Sequence, residues 1–484
     1  MTRAHLVVPP FLKYAAGPLL GPAQLAGAGE AAGHEVRVLD LNIDLIRHRL
    51  PADLEIAPSG FAGDHDKPRD LLRHVQRGVI GEVREVGGDV PQRILGEDPV
   101  LSLTLSHHEV HLLVGLLVGG GVGEFVRARL RQLERPDLVG VSVLFSGQVL
   151  WALVVSEVAR ELWPDVPVVW GGTHVTALKP WIERDHSYGA MVDGFVFGYA
   201  EKTWVELLDA IAAGRPWPAE VGKAGTGSIP DAVALDNTVP RFNDLQSYGL
   251  PRLTLPAQSG RGCFYGRCAY CTYPAVEGRA RHVDLAALES VVQLAAARGA
   301  VVSLKDSLLI PDRLCEVADL IDGRVEWSGC TKLHRRLSAE LFAHLAEAGC
   351  STLEVGVETL SPTAQRLVEK KQALPLLEQV VDAAAATGIG LVVNYITGFP
   401  GEDLRGELML LEHVRNLIDR PGLRARVEHN TFQLERLAPM ARHPGEYGIR
   451  VLASWPWASV LAWEPRPGRP SSPGRLPVLR SGTC

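Results

Sequence analysis

Apolar positions in the first half of the chain fall into short runs separated by stretches of helical spacing. "AHLVVPP" reads as a short apolar strand, "EVRVLDL" as an alternating one, and "DLVGVSVLF" as the continuous run of a strand buried on both faces. "PVVWGG" is a fourth strand. Between them lie helices: "GPLLGPAQLAGAGEAAGH", with Gly33 suited to its C-terminal cap, and "GQVLWALVVSEVARELW". "GFVFGYAEKTWVELLDAIAAG" repeats strand, loop and helix. This alternation predicts an α/β fold, a Rossmann-like parallel sheet with helices on both faces, whose ligands sit beyond the carboxyl ends of the strands.

Residues 50–110 do not follow the pattern and predict an insertion, set near 50–130, in a first domain of residues 1–235. "LLVGLLVGGGVG" is too short and glycine-rich to cross a membrane and reads as a buried helix end or loop. The Pro- and Gly-bearing stretch around 212–250 reads as a linker. The βα rhythm then resumes. "RLTLPAQ", "AVVSLKD", "VEWSGCTK", "STLEVGVET", "GLVVNYITGF" and "RVEHNTFQL" are six strands with helices between most of them. They predict a partial (β/α)6 barrel over 236–445, with chemistry at the carboxyl ends of its strands. The remainder, 446–484, contains "EPRPGRPSSPGRLP" and reads as a short Pro-rich, poorly ordered tail.

Composition narrows the picture a little. At 46 % hydrophobic and 22 % charged residues over 484 positions, the chain has material for two or more ordinary cores. A net charge of −7 argues against nucleic acid as a partner. Neither a signal peptide nor a membrane span is expected, and the seven cysteines, an odd number, do not read as a secreted disulfide framework. A cytoplasmic location is the expectation.

Three of those cysteines stand together in "RGCFYGRCAYC", spaced C-x4-C-x2-C: Cys263, Cys268 and Cys271. Zinc usually takes a second pair or histidines, and Cys315, Cys330, Cys350 and Cys484 are scattered singly. A four-iron cluster held by three thiolates leaves one iron open to bind a small molecule. Gly262 and Gly266 let the loop fold closely, and Phe264, Tyr265 and Tyr270 can shield a cluster from water. Both metal readings stand on the residues alone. A second candidate, "SHHEVH", sets His107 and His111 one helical turn apart without a third ligand and reads as a solvated or lid-facing stripe. At the carboxyl ends of the first-domain strands, Ser142, Ser146, Gln148, His174, Thr176, Gly198 and Glu201 offer small or hydrogen-bonding groups to a broad polar cofactor.

The cysteine loop resembles that of the radical S-adenosylmethionine (SAM) superfamily, with one residue more in its first gap and Tyr270 as the aromatic before the last cysteine. Later segments resemble the same family in order. "VVSLKDSLL" is similar to a strand end that meets the SAM amino group, "LEVGVETLS" to a "GVES" pattern, and "YITGFPGED" to a "GFPGE" pattern. By this resemblance Cys263, Cys268 and Cys271 would hold a [4Fe–4S] cluster. Tyr270, Asp306, Ser307, Glu358, Thr359, Gly398, Phe399 and Pro400 would lie around SAM, with Arg335 or Arg336 on its carboxylate. In the first half, "GGTHVT" and "GYAE" resemble patterns of the cobalamin (B12)-binding domain found ahead of some radical SAM barrels. That resemblance makes Ser142, Ser146, Gln148, Gly171, Gly172, His174, Thr176, Gly198 and Glu201 candidate cobalamin contacts. The cobalt-ligating D-x-H-x-x-G motif of other B12 proteins is absent, so His174 is expected at the corrin edge or as a core-edge histidine, not on cobalt. The resemblance implies a B12-dependent radical SAM enzyme, a methyltransferase acting on an unactivated carbon of a peptide or secondary metabolite through a 5′-deoxyadenosyl radical and methylcobalamin. Rearrangement, cyclisation or oxidation without net methylation is the alternative within the family, and a non-catalytic metal- or cluster-binding protein the alternative outside it. An electron donor such as flavodoxin or ferredoxin would be a partner.

Overall fold

The computed structural model describes residues 1–10, 17–49, 105–248 and 252–466. The expected insertion therefore lies outside the described residues up to position 104, as does the tail beyond 466. The described residues form two compact units, one of 1–49, 105–248 and 455–459, the other of 252–454 and 460–466.

The first unit is a five-stranded sheet in the order β2-β1-β3-β4-β5. Its strands are β1 (Arg3–Val8), β2 (Glu35–Asp40), β3 (Leu138–Ser142), β4 (Val168–Gly171) and β5 (Gly194–Phe195). Every neighbouring pair is parallel. The central strands are apolar on both faces because helices cover both; the helix Val149–Leu162 buries ten side chains, Trp151 and Val158 among them. Helix Glu201–Ala212 lays Trp204, Leu207 and Leu208 into a cluster with Leu6, Val36 and Leu138. The stretch read as a linker belongs to this unit. Ala232 donates to the carbonyl of Phe197 at 2.9 Å, Val233 donates to Thr203 at 2.9 Å, and Gly222 bridges to Phe195. The boundary thus falls between 248 and 252 instead of at 235.

"SHHEVHLLVGLLVGGGVG" is a pair of helices, His107–Gly119 and Gly121–Leu130, bent by 69°. Ser106 and Glu109 form a capping box that starts the first. The bend requires a glycine at 123, where a Cβ would stand 2.1 Å from the carbonyl oxygen of Val118. Among the described residues no single helix is long and apolar enough to cross a membrane.

The second unit is a half-barrel of six parallel strands in the order β13-β12-β11-β10-β9-β6. These are β6 (Thr254–Ala257), β9 (Val301–Leu304), β10 (Trp327–Lys332), β11 (Cys350–Glu358), β12 (Gly390–Thr397) and β13 (Ala425–Thr431). All six are the strands read from the sequence. A short hairpin, β7 (Gly260–Arg261) with β8 (Arg281–His282), brackets the cysteine loop. The returning helices are capped by local chemistry. The side chains of Asp284, Ser338 and Asp403 accept N–H bonds at three helix starts, and Gly299 and Gly388 end two helices in the left-handed conformation. Part of the expected tail is folded: β14 (Leu434–Glu435), β15 (Ile449–Ala453) and β16 (Val460–Pro465) form an antiparallel sheet, with Trp463 and Ile449 buried beside Phe432. The Trp and Ile of this stretch outweigh its prolines, because they find an apolar surface that composition alone does not reveal.

Gly123→Ala is expected to lower the unfolding free energy by about 1–3 kcal/mol, since the contact is with backbone. Gly115→Ala, in the same helix pair with nothing within 4 Å, is expected to be neutral or stabilising. Urea unfolding of the two variants compares them directly.

Candidate active site and cofactor-binding edge

The cysteine loop leaves β7 at Gly262, which has φ +72° and no room for a Cβ, since Ala280 backbone atoms would lie 2.9 Å away. The Gly262 N–H donates to Glu277 at 3.1 Å, and Ser307 donates to the same carboxylate oxygen at 2.6 Å. Further along, Ala269 donates to Val368 at 3.0 Å and receives the Met440 N–H at 2.9 Å. Tyr265 donates to the carbonyl of Glu369, and Phe264 stacks on His282 at 4.5 Å. The loop is thus held from several sides while its three thiols remain free and half-buried.

Burial raises the pKa of Cys268 and pushes that of Cys271 up to about 12, so neither thiol ionises readily without a cation to share it. Among the described residues no group of three or more His, Cys, Asp or Glu is arranged to hold a metal ion. Three thiolates on one loop would match a cluster that takes three protein ligands and keeps one iron open. Two lysines flank them. The Lys332 ammonium lies 3.6 Å from the centre of the Tyr265 ring and donates to the Lys370 carbonyl at 3.2 Å. Burial and the Lys370 charge push its pKa down to about 8, against the pull of Cys268 and Cys263.

Lys370 forms the most constrained contact of the barrel mouth. Its Nζ lies 2.7 Å from Glu358 at the end of β11, with both side chains about one-tenth exposed. Glu358 has φ +63°, and the Thr359 N–H closes back on the Val357 carbonyl at 2.8 Å, a tight three-residue turn. The register against β12 shifts here, between Gly356 and Glu358. Gly356 makes the room: a Cβ there would be 2.7 Å from Lys370 Nζ and 2.9 Å from Glu358 Oε1. A non-glycine residue in this backbone region costs about 1–3 kcal/mol, and the buried pair holds it there.

The other candidates around SAM are placed as follows. Tyr270 shares a hydrogen bond with Cys268 and packs edge-on against Phe399 at 5.7 Å. Phe399 and Pro400 are buried, and Gly398 turns at φ +84° with its N–H 2.6 Å from Glu407. Burial pushes the Glu407 pKa up to about 7. Thr359 is buried and accepts the Ser361 N–H at 3.1 Å. Asp306 is spent locally, accepting the Ser259 N–H at 3.0 Å and its hydroxyl at 2.9 Å, and burial raises its pKa to about 6. Arg336 is not brought to the loop; it pairs with Asp312 on an exposed face, while Arg335 lends its carbonyl to Gln379. The reading from sequence missed Lys332, Lys370, Glu277 and Glu407. Counting the alternation of β10 back from its end would have put Lys332 on the same face as Cys330.

Inside the half-barrel, Lys305, Cys330, Glu354 and Asn394 line β9 to β12 with polar groups. Asn394 donates to Glu354 at 2.6 Å, and the protein packed around Lys305 lowers its pKa against the pull of Glu354, although the side chain itself is open to solvent.

In the first unit the carboxyl-end candidates are engaged with their own backbone. Gln148 accepts N–H bonds from Leu144 and Phe145 and donates to Pro9 at 3.1 Å. Thr176 donates to Gly172 at 3.0 Å and accepts the Gly198 N–H at 2.9 Å. Glu201, buried, accepts the Leu235 N–H at 3.2 Å. His174 has a ring nitrogen 2.9 Å from the Trp457 carbonyl and the other 3.5 Å from Ser146. It is a core-edge histidine in this arrangement. Gly172, at φ +107°, packs against Val143, whereas Gly198 has open space where a Cβ would stand and Gly171 nothing nearer than 3.6 Å. Half-buried Ser142 ends the adjacent strand. The small residues fit a flat group laid on this edge, with contacts drawn from backbone more than from the expected side chains. His107 lies 3.4 Å from Asp185, and neither it nor His111 belongs to a metal-holding group among the described residues.

Comparison with known proteins finds the same two domains in the same order. Residues 257–413 match the model of the radical SAM superfamily, and residues 102–208 match that of the B12 binding domain. An uncharacterized methyltransferase, PH0819, of Pyrococcus horikoshii is 23 % identical over 332 residues, covering 64 % of this chain and 70 % of the relative. The radical SAM methyltransferase TsrM of Kitasatospora setae, solved with cobalamin and a [4Fe–4S] cluster, superposes with a TM-score of 0.61 at 18 % identity, over 94 % of this chain and 81 % of that one. OxsB, a cobalamin-dependent SAM radical enzyme, gives 0.61 at 12 % identity over 95 % and 64 %.

Lys370→Met leaves Glu358 buried without its partner and is expected to cost about 3–5 kcal/mol in urea unfolding, part of it recovered by adding Glu358→Gln. Glu407 generates a pH dependence. Its folded pKa is raised, so the folded state holds the proton more tightly. Its contribution to stability is fully present below the ordinary carboxylate pKa and is lost as pH rises from there through about 7. Glu407→Gln should flatten that part of the stability–pH profile. The chain therefore carries a B12 binding domain over residues 102–208 followed by a radical SAM domain over residues 257–413.

Proposed function

We propose that this enzyme is a methyltransferase that places a methyl group on an unactivated carbon of a small molecule or peptide. The observation that carries it is the free, multiply anchored Cys263–Cys268–Cys271 loop beside two lysines, in a chain that also has a B12-binding domain. The methyltransferase relative and the TsrM structure with tryptophan and a SAM analogue bound, 18 % identical with a TM-score of 0.60, support the choice of reaction.

When bound, the cluster, SAM and cobalamin supply one-electron and methyl-transfer chemistry that side chains lack. The chain's own residues bind, orient and exclude water. Cys263, Cys268 and Cys271 would hold the cluster. Lys332, with three donors and a lowered pKa, takes the SAM carboxylate in the role first expected of Arg335 or Arg336. Lys370 offsets the negative charge of the thiolates while Glu358 keeps it in place. Phe399 and the Gly398 turn give adenine a flat apolar floor, braced by Glu407. Lys305, Glu354 and Asn394 orient the substrate in the lumen. A reduced flavodoxin or ferredoxin is the partner this chemistry needs.

After anaerobic reconstitution the protein should carry about four irons per chain and release 5′-deoxyadenosine or methylated product from SAM. Replacing all three cysteines by Ala should abolish both. Lys332→Ala should retain iron but raise the KM for SAM about tenfold or more, the loss of one charge-assisted hydrogen bond. Product mass with methyl-labelled SAM decides between methylation and rearrangement.

A further inference from the structure

The hairpin tip between β15 and β16 contributes residues 455–459 to the first unit. There the side chain of Trp457 is only 2 % exposed. Its ring stands 4.6 Å from Tyr188, 5.7 Å from Trp170 and 5.7 Å from His107, between centroids. Three polar contacts tie the tip down. Tyr188 donates to the Pro456 carbonyl at 2.5 Å, a His174 ring nitrogen meets the Trp457 carbonyl at 2.9 Å, and the Ser459 and Ser146 hydroxyls are 3.1 Å apart. His174 and Ser146 are the groups at the carboxyl edge of the parallel sheet that were expected to face a corrinoid.

The fit is incomplete in one respect. The Trp457 indole N–H is buried without a hydrogen-bond partner among the described residues, and so is Nδ1 of His107 beside it. An unpaired buried donor costs about 1–3 kcal/mol, so the pocket welcomes a flat aromatic bicycle but does not satisfy this one. Cobalamin carries such a bicycle, the benzimidazole of its nucleotide tail, which has no N–H to strand.

We propose that residues 455–459 are a displaceable strap. Trp457 closes the carboxyl edge of the first unit's sheet in the cofactor-free chain, and cobalamin evicts it, seating its own aromatic base among Trp170, Tyr188 and His107. This rests on the reading of the first unit as a B12-binding domain. The strap reduces apparent cofactor affinity by the fraction of time it is closed.

The test is a titration of the full-length protein with hydroxocobalamin, followed by its visible spectrum. Trp457→Ala should bind about tenfold more tightly than the parent, which corresponds to a strap closed about nine-tenths of the time. Tyr188→Phe, which removes the bond to Pro456 but keeps the ring, should tighten binding in the same direction and guards against a folding defect in the first variant. In the parent, loading should expose the Trp457 peptide bond to chymotrypsin. Equal or weaker binding by both variants, with unchanged circular dichroism, overturns the proposal, as does a strap that stays protected when loaded. If neither parent nor variants bind hydroxocobalamin, the strap and the B12 reading fall together. SAM cleavage by the same preparation then shows whether the barrel reading stands.

Discussion

The mouth of the half-barrel depends on one buried ion pair, Glu358 with Lys370. It holds Glu358 in a backbone conformation that a carboxylate-bearing residue would otherwise avoid, and so decides how β11 ends. The same lysine lends its carbonyl to Lys332, whose ammonium lies over Tyr265 of the cysteine loop. Carboxylate, two ammonium groups and three thiols therefore form one electrostatic neighbourhood. Burial works against every charge in it, and each charge is tolerated because an opposite or hydrogen-bonding partner stands beside it. A site of this kind is pre-organised before any cofactor arrives, because the cost of gathering the charges is met during folding.

The first unit follows a different principle. Its strand ends are crowded with polar side chains that serve the protein itself: Gln148 and Thr176 secure the turns after β3 and β4, and Glu201 receives a backbone N–H from the stretch that follows its helix. What remains for a ligand is surface left bare by Gly171 and Gly198 and an aromatic recess now held by Trp457. One unit thus keeps its charged groups fixed beside its thiols, while the other ties its polar side chains to its own backbone and leaves glycine surface at the edge.

Much of this was legible without coordinates. All six barrel strands were, because each is a short apolar or alternating run set off from the helical stretches beside it. The cysteine loop was, because ligand spacing is local. The surroundings of Arg335 and Arg336 were not legible for the opposite reason: which of several neighbouring cations faces a loop some sixty positions upstream depends on the alternation of β10 and on where that strand stops. Lys332 lies at its last residue, whereas Arg336 has turned out toward Asp312. The stretch 446–465 was read together with the proline run that follows it, although its Trp and Ile residues had a partner surface in Phe432 and its neighbours. Glu407 gave no signal, since an acidic residue in the first turn of a helix is ordinary until the turn it supports is seen.

The amino-acid sequence by itself determined the two α/β units, their order, and the three thiols that could hold a cluster. Each of these rests on periodicity or spacing over a few residues, which chain geometry converts directly into structure. Only the tertiary structure decided which lysines stand beside those thiols, that Glu358 is held in a left-handed turn, and that Trp457 fills a recess formed more than 260 positions earlier in the chain. These are meetings between distant segments, and their energies come from desolvation and packing, which exist only once both partners have been brought together.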